Sequence, residues 1–165
     1  MKSLVLAGLI CLGLVGCAAP RAPEPSRIIF VRHAEKTGDT GDVPLSEAGE
    51  KRARDLVRIL GDAKIEKIYT TDLQRTVNTA RPLAERLNLQ PEVLPIGETE
   101  ELARRLRSTP PGATVLVVSH SGRIPVVAEK LGVKAPPIDE SEYDRMTIVL
   151  LAGDRASELT LRYGD

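Results

Sequence analysis

From Arg27 onward, short apolar runs rich in β-branched residues alternate with longer stretches whose apolar residues recur at helical spacing. A continuous apolar run suits a strand buried on both faces, and the 3.6-residue period suits a helix with one buried face. Alternating the two builds a sheet covered by helices. The expected fold class is α/β, with three layers (α/β/α), a mostly parallel central sheet and an antiparallel C-terminal edge.

The strands are expected at 27–32, 67–70, 92–95 and 114–118, the last being the clearest buried run. Helices are expected at 47–60 with Ser46 as cap, from Asp72 as cap through Leu87, at 98–107 and at 125–131. Pro82 lies inside the second helix and should kink or break it. Segments 145–151 and 158–163 flank Gly153-Asp154 and read as an antiparallel hairpin. No internal repeat is present, and 165 residues make one ordinary domain, since a domain takes about 100–200 residues.

Lys plus Arg and Asp plus Glu both total 23, and there is no Trp, one Phe and three Tyr. Nucleic-acid binders carry a basic excess and stacking aromatics, so no nucleic-acid partner is expected. Substrate capture should be electrostatic.

The N-terminus reads as an address. Lys2 precedes an apolar run at 4–15, too short to span a bilayer as a helix but suited to a signal peptide. It ends in Leu14-Val15-Gly16-Cys17, which resembles the lipobox of bacterial lipoproteins. That resemblance implies a signal peptide at 1–17, with Cys17 the lipid-modified mature N-terminus, an export signal and a membrane anchor. Cys11 would leave with the leader, so the mature domain would carry no free thiol and need no disulfide. Residues 18–26 form a Pro-rich tether, and the domain proper is 27–165. Ala18 after the cysteine leans toward an outer membrane in a two-membrane cell. Oligomeric state is left open.

The chain has two histidines, His33 and His120, and each directly follows a strongly apolar strand. A lone histidine is most often structural or solvated. If the two strands are parallel neighbours, both imidazoles meet at one crevice beyond the carboxyl ends of the strands, where Arg32 and Arg75 would join them. Phosphoryl transfer asks for such a set: cationic donors around three equatorial oxygens and an in-line nucleophile. Arginine presents a planar fork matched to phosphate, so two arginines and a protonated histidine could cradle one phosphate without a metal. Nearby cations also lower the pKa of His33 and keep a ring nitrogen free to attack.

These residues sit in four motifs. Arg32-His33-Ala34-Glu35-Lys36 resembles the R-H-G signature of the histidine phosphatase (phosphoglycerate-mutase-like) superfamily, with Ala34 where Gly is commoner. Pro44-Leu45-Ser46-Glu47-Ala48-Gly49 is similar to its PLTxxG helix start, residues 71–80 to its S-x-x-x-R-T-x-x-T-A segment, and 117–122 to its second-histidine motif. The resemblance runs over about 27–163. It implies that His33 becomes phosphohistidine and that Arg32, Arg75 and His120 complete the phosphate pocket. Many relatives draw a proton-donating acid from between the second arginine and second histidine. Glu98 is the candidate here, with Glu35 the alternative because it adjoins His33. Lys36 and Ser121 are further candidate phosphate contacts, each with a bland rival as a solvated or helix-capping residue.

The implied activity is a metal-independent phosphoric monoester hydrolase with no cofactor, acting on a phosphorylated small molecule or phosphoprotein. A mutase is disfavoured by the short stretch from Arg75 to His120. The alternative from another class is a weakly active or inactive envelope lipoprotein that binds phosphorylated or anionic ligands. A metal hydrolase lacks its spacing, there being no H-E-x-x-H and no paired cysteines. Substrate choice should lie in the loops at 36–43 and 134–143.

Overall fold

The computed structural model describes residues 23–164. The leader, Cys17 and most of the tether therefore lie outside the described residues. Ten elements follow in order: β1 (Ser26–Arg32), α1 (Glu47–Leu60), β2 (Ile65–Thr70), α2 (Gln74–Leu87), β3 (Glu92–Val93), α3 (Thr99–Arg107), β4 (Thr114–Ser119), α4 (Arg123–Lys130), β5 (Arg145–Ala152) and β6 (Arg155–Arg162). They form one six-stranded sheet in the order β3-β2-β4-β1-β5-β6. The β3·β2, β2·β4 and β4·β1 pairings are parallel, and β1·β5 and β5·β6 are antiparallel. This is the three-layer α/β arrangement with an antiparallel C-terminal edge.

Side chains alternate across a strand, so a fully apolar strand feeds both faces of its sheet. In β1, Ile28 and Phe30 join one core with Leu102, Leu106, Ile124 and Val127 of α3 and α4. Ile29 and Val31 join the other, with Leu56 and Leu60 of α1 and Leu83 of α2. Val115 and Val117 against Leu116 and Val118 divide β4 in the same way.

The local chemistry differs from expectation at several boundaries. Ser46 caps α1 as expected, its Oγ accepting from the Gly49 N–H at 3.2 Å. Asp72 does not cap α2: the cap position is Leu73, and the first free N–H, that of Gln74, is taken by Asp42 Oδ1 at 2.8 Å. Pro82 does not break α2, which continues to an αL cap at Asn88 (φ 53°). Buried Thr79, Ala80, Leu83 and Ala84 on both sides of the proline hold the helix to the sheet. The last helix starts at Arg123, ahead of the expected 125, because the N–H groups of Arg123 and Ile124 both close on the His120 carbonyl at 3.0 Å. Pro125 then falls in the first turn, where its missing N–H costs nothing. The hairpin turn is two residues long, with Gly153 at φ 61°, so pairing resumes at Ala152↔Arg155 and β6 begins earlier than 158.

Candidate active site

The β1·β4 register pairs Arg32 with Ser119, which sets the next residues, His33 and His120, side by side beyond the carboxyl ends of the strands. The His33 N–H extends the ladder by one bond to the Ser119 carbonyl at 2.8 Å. The two imidazole centroids lie 5.3 Å apart. Both rings are buried.

The His33 ring has a defined polarity. Its Nδ1 lies 2.8 Å from the Ala34 carbonyl oxygen, which can only accept, so Nδ1 carries the proton and Nε2 keeps its lone pair. Burial, followed by the charges of Arg32, Arg75 and Lys36, outweighs that hydrogen bond and lowers its pKa to about 4.

Proton counting also orients His120. Thr76 Oγ1 donates its single hydrogen to a backbone carbonyl, that of Leu73 at 2.8 Å or Thr71 at 3.1 Å. The Thr71 hydroxyl therefore donates to Thr76 at 2.8 Å and accepts from His120 Nε2–H at 3.0 Å. Burial, then the proximity of His33, Arg75, Arg123 and Arg32, lowers the His120 pKa to about 3. Both rings are thus neutral near pH 7, and the protonated histidine expected in the cradle is absent from the free site. Its positive charge comes from guanidinium groups.

Arg32 is 2% exposed, and its guanidinium is held from one side. Nη1 donates to the carbonyls of Asp139, Glu140 and Glu142 at 3.1, 2.6 and 3.2 Å. Nη2 meets Glu140 Oε2 at 2.7 Å, and the Tyr143 ring lies 4.1 Å from Cζ. This loop reaches the site because β5 runs antiparallel to β1, so the chain entering β5 arrives where β1 ends. Arg75 Nη1 reaches the Gly41 carbonyl at 3.4 Å. Arg123, buried at the start of α4, donates from Nε to Thr99 Oγ1 at 3.3 Å.

Three guanidinium nitrogens, Arg32 Nε, Arg75 Nε and Arg123 Nη2, are buried without a partner among the described residues. A buried charged donor left unsatisfied is costly, and the charges of all three arginines act on the His120 ring, so the cationic set lies around the imidazole pair. Among the described residues, no group of three or more His, Cys, Asp or Glu side chains could hold a metal ion.

The remaining candidates separate. The Glu35 carboxylate is gripped by Arg52, from Nε at 3.0 Å to both oxygens and from Nη2 at 2.7 Å, which ties it to α1. Glu98 stands at the cap position of α3 with an exposed carboxylate that caps nothing. Lys36 donates to the Gly38 carbonyl at 2.7 Å and Asp39 Oδ1 at 3.0 Å on its own loop. Ser121 is buried, and its hydroxyl donates to Glu140 Oε1 at 2.6 Å. Sequence reasoning missed Arg123, Thr71, Tyr143 and Glu140. Thr71 and Arg123 stood in or beside recognised motifs, whereas Glu140 and Tyr143 belong to the loop at 134–143, which is expected to carry substrate choice without either residue being singled out.

Residues 28–96 match the histidine phosphatase superfamily (branch 1). No curated protein matches the sequence. Among solved structures, the fold is shared with the alpha-ribazole phosphatase of Shigella flexneri (TM-score 0.66, 16% identity, covering 82% of this chain and 96% of that one). It is shared too with a mycobacterial glucosyl-3-phosphoglycerate phosphatase complexed with VO3 (0.65, 19%, 84% and 99%). A third is the protein histidine phosphatase SixA complexed with tungstate (0.64, 22%, 82% and 96%).

Proposed function

With a histidine phosphatase superfamily match over residues 28–96 as premise, we propose that this domain is a metal-independent phosphatase of phosphomonoesters. The observation that carries the reading is the lone pair on His33 Nε2, fixed by the Nδ1 bond to Ala34, beside three incompletely satisfied guanidinium groups. His33 Nε2 attacks phosphorus as the ester P–O bond breaks, and the leaving oxygen takes a proton. Water then attacks the phosphohistidine and gives up a proton to the carboxylate that protonated the leaving oxygen, the P–N bond breaks, and inorganic phosphate departs. Arg32, Arg75 and Arg123 surround the charge on the equatorial oxygens, and His120 lies beside the nucleophile. With Glu35 engaged by Arg52, Glu98 is the proton donor in this reading.

Phosphatases in the superfamily's fold serve both small molecules and proteins, as alpha-ribazole phosphatase and SixA show by name. The substrate proposed here is correspondingly a phosphorylated small molecule or phosphoprotein. The Leu14-Val15-Gly16-Cys17 sequence supports an exported protein held to the membrane through a lipid on Cys17, the outer one in a two-membrane cell. One observation favours a second reading, ligand binding without turnover: among the described residues, the exposed Glu98 side chain has no hydrogen-bond partner to hold it toward a leaving oxygen.

The full chain in detergent, given p-nitrophenyl phosphate with EDTA present, separates the two. Turnover that His33→Ala reduces by about 10³-fold or more is the expected result. Wild-type activity indistinguishable from His33→Ala across acidic to neutral pH leaves the binding reading standing.

A further inference from the structure

The Glu140 carboxylate occupies an unusual position for a side chain that is 81% exposed. One oxygen lies 2.7 Å from Arg32 Nη2, and the other accepts from Ser121 Oγ at 2.6 Å. Both donors belong to the expected phosphate contacts, and they come from two strand ends, the last residue of β1 and the turn after β4. A single carboxylate bridges them from the loop at 134–143.

The Arg32 fork shows what the bridge does. Nη1 is committed to three carbonyls of that loop, so the edge left for an anion is Nε with Nη2. Nη2 is taken by Glu140 and Nε has no partner. A carboxylate that used the whole edge would be bidentate, as Glu35 is on Arg52. Glu140 takes half of it and spends its second oxygen on Ser121. A tetrahedral phosphoryl group has an oxygen for each of Nε, Nη2 and Ser121 Oγ.

The two partners differ in what they gain. Arg32 is wholly buried, and its charge needs an anion close by. Glu140 is mostly in water, where an ion pair contributes little and release costs little. Such a pair keeps the arginine neutralised and ordered until a stronger, better-shaped anion replaces the carboxylate.

We propose that Glu140 sets the anion affinity of the site: its carboxylate occupies the seat between Arg32 Nη2 and Ser121 Oγ, and phosphate binds by displacing it. This rests on the phosphatase reading above and adds an intrinsic competitor to it. Glu140 is not a catalytic residue here. It acts through Arg32 and Ser121, and its loop remains anchored by the three carbonyl bonds to Nη1 after the carboxylate swings out.

Calorimetric titration of the full chain with inorganic phosphate and with orthovanadate tests this directly. Glu140→Gln and Glu140→Ala should bind both anions about tenfold more tightly than wild type, about 1.4 kcal/mol. Glu140→Asp should stay within about threefold of wild type, a shift of roughly 0.7 kcal/mol. Asp154→Asn, which removes a charge at the far hairpin turn, controls for net charge and should leave affinity unchanged. Unchanged or weaker binding in Glu140→Ala overturns the inference, as does an equal gain in Asp154→Asn, while activity lost in His33→Ala still upholds the phosphatase reading. No anion binding by any variant, with no turnover in wild type, overturns that reading and this inference together.

Discussion

At the scale of single residues, the site depends on where protons are held. His33 donates its Nδ1–H to the Ala34 carbonyl, and His120 is tied through Nε2 to a Thr71–Thr76 pair that ends on the backbone. Burial dominates both titrations, and the surrounding guanidinium charges reinforce it. His33 is therefore deprotonated at Nε2 well into the acid range. In the free enzyme it should gain its proton near pH 4, and not at the 6.5 of an ordinary imidazole. An NMR titration of the His33 ring in the free protein from pH 3 to 7, where no substrate phosphate titrates, checks this. A midpoint at the ordinary value would mean that burial and the guanidinium charges act on the free site far less than the geometry implies.

At the scale of elements, motif positions outside the candidate pocket hold those that line it. Gly49 is the clearest case. A Cβ built there would lie 2.1 Å from the Glu35 carbonyl oxygen, so α1 approaches the loop after His33 more closely than any side chain allows. Gly49→Ala should destabilise the fold by about 1–3 kcal/mol and lower kcat/KM as the loop carrying Ala34 and Glu35 is pushed outward. Thermal unfolding together with steady-state kinetics separates the two effects. Thr79 has a comparable task, accepting from the Ala34 N–H at 2.9 Å and donating to the Arg75 carbonyl at 2.6 Å, which links α2 to the loop after His33. The apolar period of each strand and helix was legible because one buried face or two leave different patterns, and the histidines were legible because each ends a strand. Asp72 misled because a capping residue type is visible in sequence, whereas the acceptor that takes its place, Asp42, comes from a loop 32 residues before Gln74. Glu140 was illegible for the same reason: its partners Arg32 and Ser121 lie 108 and 19 residues from it, and only the antiparallel entry of β5 brings them together.

At the scale of the whole molecule, the crevice is formed by the sheet order. β4 lies between β1 and β2, so the ends of three parallel strands deliver Arg32-His33, Ser119-His120 and Thr70-Thr71 to one place, and the antiparallel β5 closes the side nearest Arg32. Burying two histidines there ties folding to pH. In the unfolded chain each takes up a proton near 6.5, whereas in the folded chain His33 resists until about 4 and His120 until about 3. Between those values the unfolded state binds more protons, so stability rises with pH across the window. It is fully held above about 6.5 and declines as pH falls toward 4 and then 3. Most carboxylates titrate below about pH 5, so the decline between roughly pH 6.5 and 5 isolates the histidines. Urea unfolding of wild type should lose stability steadily over that interval. The His33→Asn/His120→Asn double variant, less stable overall, should show a flat profile there. An equal slope in both proteins would place the linked protons elsewhere in the molecule.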